Sequence, residues 1–84
     1  MNTNLLVGKL QGAVDKSTRY IEVARPESES DKNNLLIPLR YWTLDEHNAL
    51  MSLKEGTLVA INGRLDHDEK IGLFVLVEQL NVIK

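Results

Sequence analysis

The stretch from Leu53 to Leu65, Leu-Lys-Glu-Gly-Thr-Leu-Val-Ala-Ile-Asn-Gly-Arg-Leu, limits the fold more than any other part of the chain. Its pattern predicts a short helix stopped by Gly56 and followed at once by a strand. In that strand Val59, Ile61 and Leu65 fall on one face, with Gly63 where a core side chain is expected. Glycine inside a strand marks a bulge, a sharp bend or a close backbone approach. A helix that hands over directly to a strand bent at glycine suits the corner of a small coiled barrel.

The 84 residues fit one domain, 1–84, with no room for a second core. An apolar content of 43% supports a compact soluble fold with little surplus. The absence of cysteine removes disulfides and thiolate metal sites, so self-association is an expected source of extra buried surface. The opening Met-Asn-Thr-Asn lacks the charged and apolar regions of a signal peptide, and no apolar run can span a bilayer. A cytoplasmic location is expected. The net charge of -2 argues mildly against nucleic acid. Acidic residues, however, gather at Glu27, Glu29 and Asp31 and again at Asp66, Asp68 and Glu69, which read as loop and turn. Lys9, Arg19, Arg25, Arg40 and Arg64 fall in strand-like segments, so a barrel face can be locally basic on an acidic protein.

From the start, Asn4 to Leu10 alternates around Gly8, with Leu6 and Leu10 on one side and Leu5, Val7 and Lys9 on the other. Gln11 to Ser17 reads as a connection. Thr18 to Arg25 is a second strand, Ile21 and Val23 pointing one way and Tyr20, Glu22 and Ala24 the other. Pro26 ends it, and Glu27 to Asn34 reads as a polar loop. Leu35 to Trp42 is a third strand with Leu35, Ile37, Leu39 and Tyr41 opposite Leu36, Pro38, Arg40 and Trp42. Pro38 assigns it an edge or bulged position. Thr43-Leu44-Asp45-Glu46 matches a capping box, and Leu44, His47, Leu50, Met51 and Leu53 form the apolar arc of the helix it would open. Strands from Thr57 to Leu65 and from Ile71 to Ile83 close the chain across a turn at about Asp66–Lys70. Three strands, one short helix between strands 3 and 4, then two strands is the order of the all-β, five-stranded OB-fold barrel. An α+β sandwich is the alternative.

The opening Asn4-Leu5-Leu6-Val7-Gly8-Lys9-Leu10, the Ile21-Glu22-Val23-Ala24 strand, the Leu53–Leu65 stretch and the closing Val77-Glu78-Gln79-Leu80-Asn81-Val82-Ile83 resemble, in order, the motifs of bacterial single-stranded DNA-binding proteins, which have the OB fold. The resemblance covers nearly the whole chain. It puts Trp42 where the family carries a base-stacking phenylalanine. The departures are Leu36 at a second stacking position, no tryptophan in the Glu27–Asp31 loop, a shortened acidic hairpin and no acidic tail. In that reduced form the chain is also similar to primosomal replication protein N, a dimeric relative.

Trp42 is the only tryptophan, and its outward row makes it a candidate platform for a base. The competing reading is a tryptophan that covers the helix start or an interface. Arg40 on the same row can meet a phosphate or a base, and Tyr20 and Arg25 extend that surface. Lys9 and Lys70 are lesser candidates, as solubilising surface lysines are common. His47 is assigned to helix packing. Asp66-His67-Asp68-Glu69 is the one metal-like run, but alternation splits its side chains, so no metal and no cofactor is expected. Two scattered histidines make no triad, and no phosphate-cradling glycine loop occurs, so the chain is not expected to be an enzyme.

These residues point to a non-catalytic, sequence-tolerant single-stranded DNA-binding protein. As the resemblance implies, it would serve DNA replication as a homodimer or homotetramer. Neither a membrane nor a small-molecule substrate is expected as partner. RNA is a further reading, since no residue here selects against a 2′-hydroxyl. The alternative from another class is an OB-fold interaction or assembly module that has lost nucleic-acid binding.

Overall fold

The computed structural model describes residues 4–24, 34–43, 45 and 47–83. Five strands, β1 (Asn4–Ala13), β2 (Arg19–Val23), β3 (Leu35–Tyr41), β4 (Leu58–Asp68) and β5 (Gly72–Val82), close a barrel in the order β1-β2-β3-β5-β4. One short helix, α1 (Ala49–Ser52), lies between β3 and β4. All neighbours pair antiparallel except β3 and β5, whose parallel contact at Leu39–Tyr41 shuts the barrel. This is the OB fold expected from the order of elements.

Closure depends on two glycines. β1 pairs with β4 over Asn4–Lys9 and then with β2 from Lys9 onward, so it must turn between two neighbours. A Cβ on Gly8 would run into the carbonyl oxygen of Glu22, and the β1–β2 register then shifts between Leu10 and Ala13. Gly63 plays the same part on β4. A Cβ there would meet the carbonyl oxygen of Leu76, beside the register shift between Asn62 and Gly63. The glycine inside the strand is a close backbone approach, as expected.

The alternating rows converge on a core of Leu10, Ile21, Leu39, Leu50, Val59, Ile61, Val75 and Val77, with Leu6, Val23, Ile37, Tyr41, Met51, Leu53 and Leu80 around it. Leu65 departs from its expected core row and is 60% exposed. β1 reaches only as far as Gly63, so the outer part of β4 has β5 alone beside it and Leu65 leans over the open barrel mouth. β3 is not a free edge strand. It pairs with β2 over Leu35–Leu39 and with β5 over Leu39–Tyr41, so Pro38 sits just before the second neighbour begins. A missing amide proton is tolerated there because no β5 carbonyl faces it.

The helix is shorter than expected. Its N-cap is Asn48, whose side chain accepts the amide of Met51 at 2.9 Å, and not Thr43; Leu44 and Glu46 of the expected capping box lie outside the described residues. His47 stands exposed before the helix rather than packing on it. Leu50 alone of the helix is fully buried and plugs the barrel. Gly56 does have a positive φ of 92°, but Leu53 already caps the helix in an extended conformation. Gly56 instead serves the turn in which Thr57 N–H donates to the Lys54 carbonyl at 3.1 Å. At the other hairpin β4 runs on to Asp68, so the turn is three residues long and Gly72, at φ 80°, begins β5. Among the described residues no helix is long and apolar enough to cross a membrane.

Candidate nucleic-acid interface

The outer row of β3 holds Leu36, Pro38 and Arg40, with Trp42 just past its end. Trp42 N–H donates to the Val77 carbonyl at 3.0 Å, which fixes the backbone while the indole stays 58% exposed. Its ring lies 6.0 Å from that of Tyr41, tilted by 43°, so the indole rests partly on a half-buried neighbour. Tyr20 pairs with Pro38 across the β2–β3 ladder and is half-buried. Cross-strand partners share a face, so Tyr20 and Arg40 belong to one outer surface that extends to Trp42. Arg25 lies outside the described residues.

Arg40 is held from three sides. Its Nε donates to the buried Thr18 hydroxyl at 2.9 Å, its Nη1 to Asp68 Oδ2 at 2.9 Å, and its guanidinium lies 5.3 Å from the centre of the Phe74 ring. The side chain stays about a quarter exposed. Asp68 in turn organises the β4–β5 turn, accepting the amides of Lys70 at 2.7 Å and Ile71 at 3.3 Å. The Lys70 amide first, and then the Arg40 guanidinium, hold its carboxyl below the ordinary carboxylate value. Asp15, on the β1–β2 turn, is likewise lowered, by the Ser17 amide foremost and with a smaller part from the charge of Arg40. Arg40 thus lies between carboxylates of both flanking hairpins.

The other basic candidates are dispersed. Lys9 is exposed on β1, across from Glu22 on one side and Leu58 on the other. Glu22 accepts Gln11 Nε2 at 3.3 Å and Asn34 Nδ2 at 3.0 Å, which puts a carboxylate between Lys9 and the β3 row. Lys70 is exposed at the β4–β5 tip. Arg64 pairs with Glu78 at 3.0 Å. Arg19 is no surface cation: it is 3% exposed and its fork reaches the carbonyls of Gln11, Leu50 and Leu53 at 2.7–3.0 Å. Burial pushes its guanidinium below the ordinary value, against the pull of Glu55. The signal was present, because Arg19 has the parity of Ile21 and Val23 on the core row.

Two features carry no signature in the sequence. Phe74, almost fully buried, is the platform under Arg40. An open apolar groove of about 420 Å³ lies at the barrel mouth between the first half of β3 and the β4–β5 hairpin, with Ile37, Leu65, Leu73 and Phe74 among its walls. Among the described residues no three metal-ligating side chains converge.

No family model matches the sequence, and no curated protein is significantly similar to it. Solved structures are similar over the whole fold. Rim1, a mitochondrial single-stranded DNA-binding protein of S. cerevisiae, is 14% identical with a TM-score of 0.71, over 100% of this chain and 98% of that one. The second single-stranded DNA-binding protein of Mycobacterium smegmatis, SSBb, is 16% identical with a TM-score of 0.61, over 96% and 87%. The class is therefore an OB-fold barrel of the kind found in single-stranded DNA-binding proteins. Within it, the chain is similar to the N-terminal domain of PriB from Thermoanaerobacter tencongensis, at 26% identity and a TM-score of 0.66, over 99% of this chain and 97% of that one. That domain's structure is described as dimeric.

Proposed function

We propose that this protein is a non-catalytic, sequence-tolerant binder of single-stranded DNA, working as a homo-oligomer in DNA replication. The observation that carries the reading is Trp42, 58% exposed at the end of the β3 outer row that also bears Arg40, with Tyr20 on the neighbouring strand. A base stacked on an indole contributes ~1–3 kcal/mol whatever its identity, so one exposed platform beside a cation suits a sequence-tolerant grip. Arg40, Lys9, Lys70 and Arg25 are the proposed backbone contacts. The solved structures that share the barrel are named for single-stranded DNA binding or as PriB, which supports the choice of ligand. No metal or cofactor enters this reading.

The test is titration of the protein with oligothymidine, followed by intrinsic tryptophan fluorescence at several salt concentrations. Quenching that saturates, with log affinity falling by about 0.7 per log unit of salt for each phosphate engaged, is the expected result. No binding at low salt removes the reading. The second reading, an assembly module without nucleic-acid binding, has its own observation in the carboxylates of Asp68 and Glu22 on the candidate surface. A protein that self-associates but leaves oligothymidine unbound would fit it.

A further inference from the structure

Arg40 already has an anion. Its Nη1 meets the Asp68 carboxylate at the 2.9 Å expected of a charge-assisted hydrogen bond, and Nε is taken by Thr18. The fork edge a phosphate oxygen would use is therefore partly occupied from within the chain. The guanidinium face is fixed as well, since Phe74 lies against one side of it. Asp68 is not an incidental surface acid, because the same carboxylate group also receives the Lys70 and Ile71 amides, which ties it to the fold of the β4–β5 turn.

We propose that Asp68 is a built-in competitor for the phosphate seat of Arg40, so that a single strand engages this arginine only by displacing the hairpin carboxylate. The inference rests on the proposed single-strand binding and adds its control: the hairpin sets how much of the Arg40 charge is available. A partly exposed ion pair of this kind is weak enough for a ligand to exchange. A phosphate that replaces it recovers the same charge-assisted bond while the turn gives up one contact. The oxygen that accepts the turn amides is Oδ1 and the one on Arg40 is Oδ2, so the exchange need not unfold the turn.

Asp68→Asn tests this, because an asparagine Oδ1 can still accept both turn amides while the negative charge is gone. Binding of oligothymidine is measured for parent, Asp68→Asn, Arg40→Gln and the double variant across a salt series. Asp68→Asn should bind roughly two- to fivefold tighter at low salt, with a salt slope steeper by up to about 0.7, one added phosphate. The gain should vanish in the double variant, since it acts through Arg40. If Asp68→Asn binds no tighter than a parent that does bind, the competition is overturned and the single-strand reading stands. If neither binds, both readings fall together. Should Asp68→Asn not fold, the parent alone decides by NMR. Saturating oligothymidine should move the Arg40 Nε–Hε and Asp68 side-chain carboxyl signals together, and a carboxyl signal unchanged at saturation overturns the proposal.

Discussion

Two residues of similar sequence appearance, a tryptophan and an arginine in strands, divide sharply once their surroundings are known. Trp42 is anchored by its backbone and leaves its ring to solvent. Trp42→Ala is expected to cost ~1–3 kcal/mol of oligothymidine binding, one to two decades of affinity, with a melting temperature close to the parent's. Equal affinity, in a variant that melts like the parent, would move the stacking site elsewhere. Arg19 is the reverse case. Its four hydrogen bonds tie β1 and the end of α1 into β2, so Arg19→Met strands three carbonyls. It should lower stability on the order of 3 kcal/mol by chemical denaturation. Arg19→Lys should recover only part of this, because an ammonium cannot present a planar fork to three carbonyls. A melt unchanged by Arg19→Met would mean that water replaces the guanidinium there.

At the scale of elements, what could be read from the sequence was whatever local alternation and glycine determine. The rows of β1, β2 and β3 followed from spacing alone, since parity fixes which side chains face inward. The β4 row held as far as Gly63 but not at Leu65, and at Gly63 spacing left a bulge, a bend and a close approach all open. The helix start did not follow. Asn48 and Thr43 are both good caps, and the choice falls to Asn48 because Leu50 then drops into the barrel end. Nor did the Arg40–Asp68 pair follow, because it spans β3 and a hairpin 28 residues away and depends on β5 lying parallel between them. The glycines give a graded test. Gly63→Ala must push a Cβ into the Leu76 backbone, and a backbone shift of that kind costs ~1–3 kcal/mol or more. Gly56→Ala has free space around it and only a left-handed backbone to strain, for ~1–2 kcal/mol. Denaturant melts that reverse this order would contradict the close approach at Gly63. The turns add a pH dependence. Asp15 and Asp68 both titrate below the ordinary 3.8 in the folded chain, so the unfolded chain binds more protons near that pH. Their stabilisation is complete above about 3.8 and is lost as pH falls through the lowered folded values. Asp68→Asn should flatten that acid limb in a series of melts, and an unchanged limb would assign the acid loss to other groups.

For the molecule as a whole the unresolved balance is between a small core and a wide apolar exterior. The outer row of β1 carries Leu5 and Val7 at 64% and 47% exposure, and the adjoining outer row of β4 brings Ala60 opposite Val7 and Leu58 opposite Lys9. These are neighbours on one sheet face, whose Leu5 end also lines the groove beside Leu36 and Pro38 of β3, while Trp42 lies past the other end of that strand. A barrel of this size has little spare stability, and a contiguous apolar face is a usual mark of an interface. Burying it against a second copy also doubles the number of binding surfaces, which raises the effective affinity for a strand long enough to reach both. The expectation is a homo-oligomer, a dimer or tetramer, built on the outer face of β1. Sedimentation velocity on the parent at tens of micromolar should give a mass above that of one chain. Leu5→Glu combined with Val7→Lys should shift it to the monomer while far-UV circular dichroism keeps the β-sheet signature. In the monomer, binding to short oligothymidine should persist, and only the advantage of long over short strands should disappear. A parent that is strictly monomeric at that concentration would leave the β1 face without this role.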